Sequence, residues 1–302
     1  MITLDTPIRI SNAYKTGIMD RVNPPAAYCN DGDTVIFETM DCSDGAVRRD
    51  GTRDRTPGKF LANPATGPLF VNGAEPNDTL EVEILSIKIG NFGYMGTGFV
   101  ETFFNDTAEY PIHIFDVEDG HVKLGGHIFP IRPMIGVIGV APAGDGIDTE
   151  TPHAHGGNMD CTLIREGSKL YLPVSAKGAL LAMGDLHAIM GDGEVALYGL
   201  EVPGEVTVKV HVIKEHPLSW PCVICDDRLS VIASAKTTDE CIDLALNELY
   251  RILTLNGWSK ADARYLMSLK CDLAVCQIVD PNKTVRASID MEFLKPKTGT
   301  AD

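Results

Sequence analysis

Two glycine-broken stretches concentrate the groups in this sequence that can do chemistry. In "HGGNMD" (155–160), Gly156 and Gly157 allow a tight turn that brings the flanking side chains together. His155 and Asp160 then offer an imidazole nitrogen and a carboxylate oxygen, the ligand types of a catalytic zinc or similar ion. Asn158 can donate its amide to a carbonyl oxygen. The plainer reading is a glycine loop whose Asn and Asp cap their own backbone. The second stretch, "MGDLHAIMGDGEV" (183–195), holds Asp185, His187, Asp192 and Glu194. Its glycines disfavour a helix and predict strand–turn–strand, with Asp185 and His187 on one face and Asp192 and Glu194 on one face. Two further loops add acids. "ETMDCSDG" (38–45) carries Glu38, Asp41 and Asp44, and "VNGAEPNDT" (71–79) carries Glu75. Either is also explained as a solvated turn satisfied by its own side chains.

Other chemistries lose support. "PCVIC" (221–225) matches half of a zinc deaminase signature, but no H-x-E precedes it. No glycine run has the spacing of a phosphate loop, and Cys161 reads as a buried thiol rather than a nucleophile. The net charge of −16 argues against a nucleic-acid partner, which needs a basic face. No apolar run reaches the length of a membrane span, and the N-terminus lacks the order of a secretion signal. Eight scattered cysteines in a chain large enough for its own core predict reduced thiols and a cytoplasmic protein.

The elements that must position these loops are mainly strands. "EVTVKVHVI" (205–213) alternates Val206, Val208, Val210 and Val212. "TLEVEILSIKIG" (79–90) alternates Leu80, Val82 and Ile84, then shifts phase to Leu85, Ile87 and Ile89, which predicts a bulge. "DTVIFETM" (33–40) and "KLYLPV" (169–174) are further strands. After about residue 220 the period changes. Residues 237–257 carry apolar groups at helical spacing behind Thr237 or Thr238 as a cap, with Gly257 as the stop. A second helix over 259–270 begins at Ser259, with Asp262 in capping-box position. A strand pair joined by "DPNKT" follows. The expected fold is mainly β, a sandwich or barrel with a smaller C-terminal α+β unit, divided into a β-rich region (1–220) and an α+β region packed against it (221–302).

The runs "HGGNMD", "GDLHAIMGDGEV" (184–195), "GPLFVNGAEPNDTLEVEI" (67–84) and "VRASI" (285–289) resemble the acetamidase/formamidase family, in the family's order and nearly end to end. The chain departs from that pattern at His153, Met190 and Cys42. The resemblance implies a mainly β, jelly-roll-like architecture in which 1–220 is the catalytic region, and a metal-dependent hydrolase of short linear amides such as acetamide or formamide, releasing ammonia and a carboxylate. Its needs are an activated water, a stabiliser for the oxyanion and a proton for the leaving nitrogen. Asp160 and His187 are then the expected metal ligands, with Asp41 or Asp44 as a third. Glu194 or Glu75 is the expected base, Asn158 holds the substrate carbonyl or orients a ligand, and His155 is a supporting partner or a further ligand. The expected cofactor is a divalent ion, zinc first and calcium second. The expected partners are the amide substrate and a second copy in a homo-oligomer, a dimer. The alternative is a non-catalytic, metal-stabilised, β-rich small-molecule-binding protein.

Overall fold

In a computed structural model, which describes residues 6–96 and 111–296, the protein is mainly β. Two nine-stranded sheets carry the fold among the described residues. The first sheet runs Ile8–Ile10, Thr34–Thr39, Gly204–Ile213, Thr79–Ile89, Lys169–Pro173, Cys222–Cys225, Arg228–Ala235, Lys283–Asp290 and Asp272–Gln277. Its first pair is parallel and the rest are antiparallel. The second sheet runs Gly156–Asn158, Met134–Gly139, Ala179–His187, Glu201–Val202, Phe92–Met95 and His113–Asp116, with Ala65–Val71 also paired to Ala179–His187.

The alternating strands face these sheets toward each other. Val35, Phe37, Val82, Ile84, Val206 and Val208 of the first sheet share one core with Leu69, Ile135, Ile138, Leu181 and Leu186 of the second. The phase shift in Thr79–Ile89 is a bulge. Opposite Thr207 and Val208 stand Ser86 and Ile84, so Leu85 has no partner and lies 40% exposed while Ile84 and Ile87 are buried.

The helices form where the 3.6-residue period begins. Helix α1 spans Thr238–Leu255, and Thr237 and Glu240 complete a capping box. Helix α2 spans Lys260–Lys270, with the Ser259 side chain accepting from the Asp262 N–H. Helix α1 packs on Arg228–Ala235 and Lys283–Asp290, and α2 on α1 and Lys283–Asp290, burying Ala245, Leu249, Leu253 and Ala263 in a second core. The division at 220/221 does not separate two sheets: Lys169–Pro173 pairs directly with Cys222–Cys225, so the C-terminal strands extend the first sheet. No helix among the described residues is long and apolar enough to cross a membrane.

Candidate active site

The apolar strand Met134–Gly139 explains why two polar runs so distant in sequence meet. Gly156–Asn158 pairs along one edge, with Asn158 opposite Val137, and Ala179–His187 pairs along the other, with Gly184 opposite Val137. Continuing past Asn158, Asp160 returns over the same strand, its N–H reaching Gly136 O at 3.4 Å. Gly136 is required here. A Cβ at this position would run into the Asp160 and Asp185 carboxylates. Gly199 does the same for His187, since a Cβ there would overlap the imidazole.

Asp160, His187 and Glu194 converge, each offering a ligand atom within 4.8 Å of the others, and all three are buried. His187 Nδ1 lies 3.9 Å from Asp160 Oδ1, while its Nε2 lies 3.2 Å from Glu201 Oε1 and 3.6 Å from Asp185 Oδ1. The Glu201 contact is the shorter and gives the Nε2 proton its acceptor, so that a neutral ring presents its Nδ1 lone pair toward Asp160 and Glu194. Neither oxygen of Asp160, nor Glu194 Oε2, nor His187 Nδ1 has a hydrogen-bond partner. Glu194 is otherwise held by the Gly199 N–H, which donates to Oε1 at 3.1 Å. Asp160, Asp185 and Glu194 all have positive φ, at 44°, 54° and 47°. Each such backbone costs of order ~1 kcal/mol and persists only where its surroundings enforce it.

The site also contains two acids that sequence reasoning left out. Asp280 comes from the turn "DPNKT", and its N–H donates to Gln277 Oε1 at 3.0 Å. Its carboxyl interacts directly with that of Asp160, and Oδ2 has no hydrogen-bond partner. Glu201 stands opposite His187 across the strand pair. Asp280 sits in a short connector and Glu201 in a strand, with no His or glycine pair beside either to mark a site; only the closure of the sheet brings them in. Burial is the largest influence on these acids. It pushes Asp160 up to about 6 against the opposing pull of His187, and Glu201 up to about 8. Glu194 and Asp280 are also raised by burial and then by Asp160. For His187 burial acts downward, but Glu201 and Asp185 outweigh it and raise the imidazole.

The other sequence-predicted residues fall in different places. Asp41 is buried, but Oδ1 accepts from Ser43 N (2.9 Å), Gly45 N (3.2 Å) and Tyr94 Oη (3.1 Å), so it holds its own loop. Asp44 is paired with Lys15 and accepts the Leu61 N–H at 3.1 Å. Both acids are occupied, and neither joins the Asp160–His187–Glu194 cluster. Glu75 lies outside it too, half exposed with Oε1 3.9 Å from Lys177 Nζ. Asp192 does not accompany Glu194. Its carboxylate takes the Arg286 guanidinium at 2.6 Å and the Thr162 hydroxyl at 2.8 Å. His155 is 4% exposed with neither ring nitrogen bonded, and burial drops it to about 4, so it is neutral. Asn158 faces a cavity of about 520 Å³, also lined by Asp185, Glu194, Glu201 and Asp280.

Several acids buried in mutual contact cannot all ionise without a counter-charge. Unpartnered oxygens beside an unpartnered imidazole nitrogen are a donor set suited to a divalent ion. The residues therefore fit the cofactor that the sequence resemblance implies.

The acetamidase/formamidase family model matches residues 18–149 and 143–295. The chain belongs to the acetamidase/formamidase family. An acetamidase from Bacillus halodurans, known from its crystal structure, is 41% identical and superposes with a TM-score of 0.88 over 95% of this chain and 98% of that one. A recombinant predicted acetamidase/formamidase from the thermophile Thermoanaerobacter tengcongensis is 37% identical, with a TM-score of 0.92 over 96% and 97% of the two chains. A putative formamidase of Schizosaccharomyces pombe is 28% identical over 63% of this chain. The family member described here spans 62% of the length of that curated relative.

Proposed function

We propose that the protein hydrolyses short linear amides to ammonia and a carboxylate, using a divalent ion held by Asp160, His187 and Glu194. The observation that carries this reading is the convergence of unpartnered Asp160 and Glu194 oxygens on the unpartnered Nδ1 of His187, beside a cavity. When bound, such an ion polarises a carbonyl and acidifies a water, the two demands an unactivated amide makes. Glu201 accepts the Nε2 proton of His187 and so keeps the imidazole in the tautomer that offers Nδ1. Asn158 donates its amide N–H to the substrate carbonyl oxygen and holds the reacting group still. Asp280 takes the proton of the attacking water and returns it to the departing nitrogen. It faces the cavity with a free oxygen, and burial beside Asp160 raises its affinity for a proton, which favours taking one from water.

The test is ammonia release from formamide and acetamide by the purified protein before chelation, after it, and after zinc is restored. The reading expects loss and recovery. It also expects Asp280→Asn to lower kcat by about 10²–10⁴-fold while retaining the ion. Undiminished turnover after complete removal of metal contradicts it. A chelated protein that only melts earlier, and never released ammonia, is instead a metal-stabilised binding protein.

A further inference from the structure

On the far side of His187 a second group of ligand atoms converges, and it differs in chemistry from the first. Cys42, Asp185 and Glu201 each offer one atom within 4.8 Å of the others. Each is held from behind by a neighbour. Asn63 Nδ2 donates to Asp185 Oδ2 at 3.4 Å, His187 Nε2 approaches Glu201 Oε1 at 3.2 Å, and Tyr94 Oη lies 3.2 Å from Cys42 Sγ. Asp185 Oδ1, 3.6 Å from His187 Nε2, and Glu201 Oε2 have no hydrogen-bond partner, on side chains 2% and 1% exposed. Supporting bonds that fix one atom of a ligand and leave the other bare are the pattern of a preorganised metal site. All three side chains line the cavity, so an ion has a way in.

We infer that Cys42, Asp185 and Glu201 bind a second divalent cation, of the thiolate-accepting, zinc-like class, beside the site described above. One thiolate and two carboxylates are a borderline-soft donor set, which disfavours calcium and magnesium. The loop that presents Cys42 is built for the purpose: the Asp41 carboxylate caps it and ties it to Tyr94. Cation binding fixes Glu201, and Glu201 positions the His187 ring, so the second ion serves the first site through one hydrogen bond. The inference extends the proposed function and takes from it only the orientation of His187.

Elemental analysis of zinc-loaded protein after gel filtration, joined to the absorption spectrum of the cobalt(II)-substituted form, tests it. The expected wild type holds two equivalents and shows a thiolate-to-cobalt charge-transfer band. Cys42→Ser and Cys42→Ala each lose one equivalent and the band, with unchanged circular dichroism. Asp160→Asn loses the other equivalent and keeps the band, and Cys161→Ser keeps both equivalents and the band. A single equivalent that Asp160→Asn abolishes, without a thiolate band, overturns the second site and leaves the proposed function standing. A single equivalent that depends on Cys42 alone supports the second site and overturns the metal assignment of the proposed function. A band that survives both Cys42 variants overturns the second site.

Discussion

Asp160 stores the energetic conflict of this molecule in one side chain. It is 0% exposed, neither oxygen is bonded, and its neighbours include Asp185, Glu194 and Asp280. Without an ion, burial and the neighbouring acids outweigh the attraction of His187, so removing its charge is a net relief. Asp160→Asn is therefore expected to bind no ion at the His187 site and yet to melt at or above the temperature of the chelated wild type. The check is calorimetry of both proteins in chelator; an Asn variant melting well below chelated wild type would show that Asp160 is structurally satisfied as an anion. Gly199 is the second residue-scale test. A methyl group there pushes against His187, and displacing a ligand by its supporting shell typically costs 10–100-fold in affinity. Gly199→Ala should weaken zinc binding about 10–100-fold in competition titrations, while Gly191→Ala, whose Cβ meets nothing within 4 Å, should not. The site's glycine-flanked acids and His187 were legible as residue types. Asp280 and Glu201 were not, because each is an ordinary turn or strand residue until the sheets close around it.

At the scale of elements, the strand Thr79–Ile89 shows how far periodicity reaches. The alternation fixes which face is buried, and the phase shift marks the bulge at Leu85. Two substitutions separate the phases. Ile84→Ala should cost about 2–5 kcal/mol in denaturant unfolding, as for a fully buried aliphatic, and Leu85→Ala about 0.5 kcal/mol or less. Comparable losses at the two positions would refute the register. The strand–turn–strand expected over 183–195 is only half present. Ala179–His187 is a strand, but it pairs back onto Glu201–Val202 after a long loop. That loop is anchored by Gly193, whose N–H donates to Cys276 O at 2.8 Å. A single sequence carries no signal for a pairing that long-range.

Across the whole molecule, the helical portion is tied to the loop before Cys222–Cys225 by an i,i+3 charge pair within α1, whose Glu248 takes the Ser219 N–H and whose Arg251 donates to Pro217 O at 3.0 Å. Glu248 of α1, 3% exposed, accepts Arg251 Nε and Nη2, both at 2.7 Å, and the Ser219 N–H at 2.9 Å. Burial alone would raise this carboxyl, but Arg251 and Ser219 outweigh it and hold it below its ordinary value. The folded state thus binds the proton more weakly than the unfolded chain. The pair's stabilisation is complete above the unfolded pKa of about 4.3 and is lost as pH falls through the lower folded value. Glu248→Gln should cost about 1.5–3 kcal/mol at pH 7 and progressively less toward pH 3; a penalty independent of pH would show that the charge is not what matters. The helices Thr238–Leu255 and Lys260–Lys270 were readable as a change of period, because helices announce themselves locally. Continuity of one sheet past residue 220 was not, since it rests on Lys169–Pro173 meeting Cys222–Cys225. The same continuity is what delivers Asp280 from the C-terminal strands to a cavity otherwise lined from Cys42 to Glu201.

The account turns on a cation between Asp160, His187 and Glu194, and anomalous diffraction at the zinc edge from crystals grown with added zinc addresses it directly. The account predicts a peak about 2.0–2.2 Å from His187 Nδ1 and from carboxylate oxygens of both acids. A zinc-soaked crystal with no peak there, and with Asp160 hydrogen-bonded to Glu194 or Asp280 through a shared proton, would contradict it.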